Sequence, residues 1–461
     1  MKIYKDKYYF RILKPNNTIS DAFLLLNGDF GMAVHVVLDN KLLGIVTAGD
    51  LRRCLLRGKS ITTLLADVIN KDPIYIKIND SLKNKFEIIN NSLLDISNQF
   101  TIPVINEKNE ILGITYLNHL QSIDDENLHR NNAQKILVVG GGGYIGSTLT
   151  KLLLDQNYKV KVVDNFLYDL SSLDSLKDNS NLEIIKDDIC ILNNQINCIK
   201  DVDAVVFLAE IVGDPACKLL PEDSIRTNFL AVNSMANLCS YMNISRFIYT
   251  SSCSVYGASE DPEEILDESS ALNPVSHYAR IKLASENSIL SLSNTNFNPT
   301  ILRLGTVFGS SSRLRFDLVV NTFARDAFFK KNIKINGGNQ WRTNIHVKDV
   351  ANGILNVLKS PIDLVGKKIF NLCNENKTIL ELSKNVEEIF TDCVRNINQE
   401  STDKRNYRVS SKKIKEIINF VPKISINDGL LEFKNLFENN ISNNFDKSIY
   451  SNYNSLYENN R

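Results

Sequence analysis

The stretch VVGGGGYIGSTL, residues 138–149, decides how this chain folds. A short β-rich run (Ile136, Leu137, Val138, Val139) leads into four glycines, and an apolar-periodic helix follows through Tyr144, Ile145, Leu149, Leu152 and Leu153. Gly140, Gly143 and Gly146 stand at GxxGxxG spacing. In a strand–turn–helix the first glycine permits the tight turn. The second lets backbone N–H groups approach a diphosphate at the helix N-terminus, and the third lets the helix lie close on its strand. Such glycines alone mark any tight turn. Here a second β-run ends in Asp164 about 20 residues on, where an acid takes the hydroxyls of an adenosine ribose. Together these features read as a dinucleotide site.

Outward from this turn, short apolar strands alternate with amphipathic helices. Strands are expected at 135–139, 159–163, 182–186, 203–208, 246–250 and 299–304. That order predicts an α/β fold, a doubly wound parallel sheet with helices on both faces. The dinucleotide domain spans 135–438, and from about residue 308 its pattern turns irregular, as expected of a lobe covering a substrate. Residues 439–461 (NNISNNFDKSIYSNYNSLYENNR) form a polar, low-complexity tail expected to fray.

Residues 1–125 read as a separate module, and 126–134 as a polar linker. Two stretches of the module echo each other: AVHVVLDNKLLGIVTAGDLRRCLL at 33–56 and TIPVINEKNEILGITYLNHLQSI at 101–123. Each reads strand, polar turn, strand, helix, so the module is an internal repeat of about 65–70 residues. Neither half buries its sheet face alone; pairing the halves solves that. Glycines 28, 31 and 44 read as turn residues.

Composition narrows the class. Lysine plus arginine and aspartate plus glutamate both number 53, so no global basic footprint calls for nucleic acid. No apolar run reaches bilayer length and no signal peptide precedes the first strand, which predicts a cytoplasmic protein without a membrane partner. Eight cysteines are scattered without metal-ligand spacing, so neither a disulfide frame nor a metal site is expected.

Three features build a site on the glycine turn. The fourth strand, AVVFLAEIVGDPAC, ends at Leu208, Ala209 and Glu210, at the carboxyl edge where open α/β sheets bind ligands. The fifth, RFIYTSSCSVYG, delivers Ser251, Ser252 and Ser254 to the same edge. A helix then carries Tyr278-Ala-Arg-Ile-Lys282, whose phenol and ammonium share one face four residues apart. A free tyrosine, with a pKa near ~10, is a poor base at neutral pH. An adjacent ammonium and an oxidised nicotinamide both favour the phenolate. Tyr278 then takes a proton from a sugar hydroxyl as hydride leaves for the nicotinamide, and Ser252 orients the oxygen.

Residues 135 to about 435 resemble an extended short-chain dehydrogenase/reductase of the NAD-dependent nucleotide-sugar epimerase/dehydratase family. The resemblance makes Gly140, Gly143, Tyr144, Ile145 and Gly146 the diphosphate loop. It places Asp164 and Asn165 on the ribose, Asp188 and Ile189 (in IIKDDIC) on adenine, and Leu208 to Glu210 under the nicotinamide ribose. Asn228, in TNFLAVNSMANL, matches the family's helix asparagine, which helps place the lysine. Ser252, Tyr278 and Lys282 match the catalytic trio, with Tyr278 and Lys282 also on the cofactor. Arg342 (QWRTNIHVKDV) and Arg405 (DKRNYRVSSKKI) sit where the family holds the substrate diphosphate, a task suited to bidentate guanidinium. His277 and His346 read as structural, and Phe207 as a packing change where the family often has histidine. Helices near 224–242 and 275–293 match the family's dimer bundle, so a homodimer is expected. The resemblance also implies a surface-polysaccharide sugar pathway.

The first half of the N-terminal module resembles a CBS (cystathionine β-synthase-type) domain, and the two halves a CBS tandem. The motif is Gly44-Ile-Val-Thr47-Ala-Gly-Asp50 followed by Leu-Arg-Arg. The resemblance puts the Thr47 hydroxyl on a phosphate and Asp50 on a ribose, which implies a regulatory adenine nucleotide. In the second half Tyr116 and His119 occupy those positions, leaving at most one intact pocket. The alternative is a module that serves only dimerisation or docking.

The fifth strand helps separate the reactions. Dehydratases of the family carry Thr-Asp-Glu after it; here the run is Ser252-Cys253-Ser254, without a carboxylate to expel water. Decarboxylation needs a nearby glutamate, and Glu260, Glu263 and Glu264 lie further on in a loop. The remaining expectation is a C4 epimerase using tightly held NAD, Asp164 rejecting the 2′-phosphate of NADP by like charge. A 4-ketoreductase, a dehydratase, or a catalytically silent NAD- and adenylate-sensing scaffold are the alternatives.

Overall fold

The computed structural model describes residues 11–26, 33–79, 101–116, 134–169, 171–258, 261, 264–399 and 405–459. The chain divides into two compact units, Met1–Arg130 and Asn131–Arg461. Gly28, Gly31, His119, Glu260, Glu263 and nearly all of the linker lie outside the described residues.

The N-terminal unit holds two small sheets built alike. In the first, β1 (Ile12–Leu13) runs parallel to β2 (Ala33–Leu38), which pairs antiparallel with β3 (Lys41–Thr47). The second repeats this with β4 (Ile76–Lys77), β5 (Thr101–Ile105) and β6 (Ile111–Tyr116). The register slips at matching places, Val36/Val37 and Val104/Ile105. Asp39 and Asn40 both take positive φ, as a two-residue hairpin turn demands. The tips meet: Ile111 N donates to Asn40 O at 2.8 Å, and Leu42 N to Asn109 O at 3.3 Å. The sequence repeat is therefore a structural one, and its two hairpins meet at their tips. Helices α1 (Ile19–Leu26) and α2 (Ala48–Leu56) cover the first sheet with Ile19, Ala22, Leu26 and Leu51, against Val34, Val36 and Val46. Gly44 is not a turn residue: it lies inside β3, where an added Cβ would stand 2.3 Å from Asn70 O.

The second unit is organised on a seven-stranded parallel sheet. Its members are β7 (Lys135–Val139), β8 (Lys159–Asp164), β9 (Leu182–Lys186), β10 (Ala204–Phe207), β11 (Arg246–Ser252), β13 (Thr300–Leu304) and β17 (Lys368–Leu372). The spatial order is β17-β13-β11-β10-β7-β8-β9, so strand order reverses between β7 and β10. Six of the seven fall where the sequence predicts them. Alternate residues of β7 enter opposite cores. Ile136 and Val138 face α3 (Tyr144–Asp155) and α7 (Val347–Lys359), while Leu137 and Val139 face α4 (Val232–Tyr241) and α5 (His277–Ser291). This double burial is why the central strands read as continuous apolar runs.

Two expectations about the C-terminal third need correction. Residues 308–438 are not one continuous lobe, because α7 packs on the sheet and β17 joins it as an edge strand. Nor is the tail frayed. Phe445 is buried, with its ring 5.2 Å from Phe437 and 5.7 Å from Phe316. A short final helix, α10 (Asn452–Asn459), is likewise docked, with Asn452 and Leu456 buried. The lobe has its own core from α6 (Val319–Lys330), α8 (Ile379–Ile389) and α9 (Ile426–Asn439), rich in phenylalanine. Small sheets lie beside it: β14 (Thr306–Phe308) with β16 (Trp341–His346) and β18 (Glu375–Thr378), β15 (Asn332–Asn336) with β19 (Val394–Asn398), and β12 (Ile265–Leu266) with β20 (Arg408–Val409).

Candidate active site

A cleft of about 1170 Å³ opens at the carboxyl edge of the sheet, over the point where strand order reverses. The glycine turn forms its floor. Gly140 takes φ +84°, and a Cβ there would stand 2.6 Å from Ala209 N. At Gly146 a Cβ would meet Gly140 O at 2.1 Å, so the third glycine lets the helix close on the turn that leaves β7. Gly143 differs: the nearest atom to an added Cβ is Gly140 O at 3.3 Å, leaving room in front of the α3 N-terminus. Asp164 accepts from Gly142 N at 2.8 Å and Phe166 N at 2.7 Å. Burial raises its carboxyl above the ordinary range, with those two bonds opposing. Asn165, Asp188 and Ile189 line the same end. Tyr144 lines the cleft too, but its phenol turns inward, donating to Gly309 O at 2.6 Å and accepting from Asn321 at 3.1 Å. Its hydroxyl ties the start of α3 to Gly309 and to Asn321 on α6.

The other end holds the predicted trio. Ser252 ends β11, its Oγ accepting from Ser254 N at 3.1 Å. Ser254 lines the cleft with a buried Oγ that lacks a partner among the described residues. Gly257, at φ +71°, brings the chain against Asn273 so closely that a Cβ would overlap its carbonyl at 1.6 Å. That contact sets the start of α5, capped by Ser276 Oγ accepting from Ala279 N. Tyr278 and Lys282 both reach the cleft from α5. The Lys282 Nζ lies 5.7 Å from the centre of the Tyr278 ring and 4.6 Å from that of Tyr249.

The lysine's partner is what sequence reasoning missed. Lys282 is ion-paired with Glu210, which also accepts from Tyr249 Oη at 2.9 Å, and it donates to Thr250 O. Burial pulls the lysine down and pushes the glutamate up, while each resists the other's shift. Burial also pushes the Tyr278 phenol well above its ordinary value, and the Glu210 charge adds to the rise. The lysine's ammonium therefore does not act alone on the phenol.

Asn228 holds the backbone beside the site. It sits in a π-helical stretch, Arg226–Ala231, and its amide clamps Ile211, accepting from N at 2.9 Å and donating to O at 2.8 Å. Its link to α5 is the bond from Ser285 Oγ to its carbonyl, not one to Lys282. Arg342 and Arg405 do come together. Arg342 Nη1 donates to Arg405 O at 2.7 Å, and Arg405 Nη1 lies 3.9 Å from Asp214 Oδ2. Both line the cleft, with Arg405 brought there by the β12–β20 pairing.

The same cleft is lined by Arg313, Arg315 and Asp317, which the sequence reading did not single out. Arg315 grips Asp317 bidentately at 2.9 and 3.1 Å, and Arg313 lies 4.5 Å over the ring of Tyr168. Burial and the neighbouring Arg315 push Arg313 down to about 10. The arginine–x–arginine–x–aspartate spacing of 313–317 was the signal available. His346 bonds Glu432 at 2.9 Å and caps α7, and Phe207 packs against Phe247 at 6.3 Å; both are structural.

In the N-terminal unit, Thr47 and Asp50 form a capping box at the start of α2. Asp50 N donates to Thr47 Oγ1 at 3.2 Å, Thr47 N donates to Asp50 Oδ2 at 2.9 Å, and Arg53 closes on Asp50 at 2.6 Å. Among the described residues no group of three or more metal-ligating side chains occurs, and no helix is long and apolar enough to cross a membrane.

An open parallel sheet with a glycine turn at its crossover and a Tyr–Lys pair facing it defines a dinucleotide-binding α/β protein of Rossmann type. Comparison with known proteins refines this. Residues 136–373 match the NAD dependent epimerase/dehydratase family and residues 10–57 match the CBS domain. The chain is 28% identical over 321 residues to UDP-glucuronic acid decarboxylase 1 of Arabidopsis thaliana, covering 67% of this chain and 71% of the relative. It is 27% identical over 316 residues to an uncharacterised UDP-glucose epimerase of Bacillus subtilis, covering 64% and 95%. Among solved structures it resembles UDP-glucuronic acid 4-epimerase from Bacillus cereus in complex with UDP-glucuronic acid and NAD. That likeness has a TM-score of 0.59 and 26% identity, over 66% of this chain and 99% of the other. The chain belongs to the NAD dependent epimerase/dehydratase family, with a CBS domain ahead of the catalytic unit.

Proposed function

We propose that this protein is an NAD-dependent nucleotide-sugar epimerase acting at C4. The observation that carries the reading is the junction of Tyr278, Lys282 and Ser252 at the carboxyl edge, with Ser252-Cys253-Ser254 in place of a carboxylate turn. Dehydration needs an acid there. The carboxylate beside the pair, Glu210, is committed to Lys282 and Tyr249. Glu264 is exposed.

The residues fit the cofactor. The open space at Gly143, the free N–H groups of the α3 N-terminus and the 140–146 turn suit a diphosphate. Asp164 and Asn165 would hold the adenosine ribose, Asp188 and Ile189 the adenine, and Leu208, Ala209, Lys282 and Tyr278 the nicotinamide ribose. Bound in oxidised form, NAD supplies a hydride acceptor and a positive charge at this end of the cleft. Tyr278 takes the proton of the sugar C4 hydroxyl and later returns it, and Ser252 holds the same oxygen. Lys282, fixed by Glu210 and Thr250 O, biases the phenol toward phenolate. Arg342 and Arg405 hold the sugar nucleotide's diphosphate. The same reading gives the CBS domain an adenine nucleotide as modulator, held by Thr47 and Asp50 once released from their cap. Adenylate binding that is unaffected by Asp50→Ala in calorimetry would remove that part.

The test is mass spectrometry and chromatography of products from UDP-, GDP- and dTDP-sugars. A new stereoisomer at constant mass is expected. Loss of carbon dioxide from UDP-glucuronic acid would instead support the decarboxylase reading, which the Arabidopsis relative favours. Loss of water means a dehydratase, NADH consumption a reductase, and no change with any sugar a silent scaffold.

A further inference from the structure

The polar C-terminal stretch is built into the cleft. Phe316 N donates to Tyr450 O at 2.7 Å, and Asn452 N donates to Asp317 Oδ2 at 3.0 Å. From these anchors α10 runs against the short helix Asp214–Leu219. Asn452 and Leu456, four residues apart, share one face of α10. Leu456 is buried in a cluster with Ile211, Ala216, Cys217 and Tyr278, so the apolar side of the proposed base is closed by the tail.

Polar atoms around this contact are left over. Asn452 is 3% exposed and Arg313 3% exposed, and both line the cleft. Asn452 Oδ1, Arg313 Nε and Tyr168 Oη are buried without hydrogen-bond partners among the described residues. A buried polar group left so is costly unless a ligand or water completes it. An acceptor, a donor and a phenol around one cleft suit a ligand whose groups both give and take hydrogen bonds. Sugar hydroxyls do so; a diphosphate only accepts.

We propose that the C-terminal segment is a wall of the hexosyl subsite, with Asn452 and Leu456 as specificity-determining residues. This rests on the nucleotide-sugar reading. Asn452 Oδ1 accepts from a ring hydroxyl, and Leu456 fixes the space beside Tyr278 into which the sugar turns. The diphosphate falls to Arg342 and Arg405 in the same reading, which leaves the sugar to the tail.

The experiment uses the full chain: wild type, Asn452→Ala, Leu456→Met (which keeps bulk and packing), and Ile441→Ser on the exposed part of the tail as control. Calorimetry measures UDP-glucose, GDP-mannose and dTDP-glucose against UDP, GDP and dTDP, with NAD binding measured alongside. For the sugar that binds, Asn452→Ala is expected to lose about tenfold in affinity, with NAD and the nucleoside diphosphate unchanged. Leu456→Met is expected to change the ranking of sugars by about threefold or more, a shift of roughly 0.7 kcal/mol, and Ile441→Ser to change nothing. Equal losses for the sugar nucleotide and its diphosphate, or no loss, would overturn the tail assignment and leave the epimerase reading standing. A wild-type chain that binds NAD but no sugar nucleotide would overturn both.

Discussion

In the N-terminal unit the Thr47 hydroxyl, the Asp50 carboxylate and the Arg53 guanidinium bond one another at the start of α2. Around the cleft of the second unit, Ser254 Oγ, Arg313 Nε, Tyr168 Oη and Asn452 Oδ1 are buried without partners among the described residues. The first group lies in a motif that resembles a ligand site, and the second lines a cleft. One is satisfied locally and stabilises a helix start. The other keeps hydrogen-bonding capacity that only a ligand or water uses. At Thr47 and Asp50 a nucleotide would first have to displace the cap, whereas the cleft keeps buried donors and acceptors ready.

The sharpest way to break this contrast is to compare Tyr278→Phe with Asp50→Ala in an assay of the proposed epimerisation. Loss of the phenol is expected to lower kcat by about 10²–10⁴-fold with NAD binding retained. Asp50→Ala is expected to leave kcat within about twofold without added adenylate. Similar effects from the two would dissolve the distinction.

Acid separates the units next. Burial pulls the His35 imidazole down to about 4, so the unfolded chain takes up the proton first. Its stabilisation is whole above pH 6.5 and drains as pH falls toward 4, by about 3 kcal/mol. In the second unit burial opposes ionisation of Glu432, yet bonds from His346, Lys348 and Ser310 N bring it down to about 2. That contribution is present above pH 4.5 and is lost only as pH approaches 2. Hydrogen exchange between pH 7 and 4 should show the N-terminal unit loosening first, and His35→Asn should remove the difference.

Glu210→Gln probes the catalytic centre more gently. With the carboxylate's charge gone, Tyr278 ionises more readily, and the rising limb of the kcat–pH profile should move to lower pH. An unmoved limb would mean that Glu210 acts only on packing. The smallest effect is expected from Thr47→Ala, which removes the cap of α2. It should lower the stability of the N-terminal unit by about 1 kcal/mol and leave the second unit's melting unchanged.

How much of this was legible follows from where each signal lives in the chain. The glycine turn and the six central strands are local: their residues sit within a few positions of each other and carry a period of their own. Tyr278 and Lys282 were readable because a helix fixes their spacing. β17 was not, since KIFNL follows an irregular stretch and announces no partner, though it pairs with β13 from Thr300↔Lys368 onward. The tail misled for a different reason. Phe445, Tyr450 and Leu456 are diluted among asparagines and serines, and only the folded lobe shows that each has a hydrophobic seat. The Glu210–Lys282 pair spans 72 positions of sequence, and no periodicity encodes a contact of that kind.

The pairing of β13 with β17 leaves residues 305–367 as one long excursion between neighbouring strands, and the lobe elements of 305–346 open it. The entropy of closing such a loop grows only logarithmically with length, so doubling the excursion costs about 0.6 kcal/mol. Insertions in its exposed turns are thermodynamically cheap, while the buried helices α6 and α7 and the strands on either side hold their places. The architecture can thus remodel what it grips without renegotiating the sheet that carries the cofactor turn.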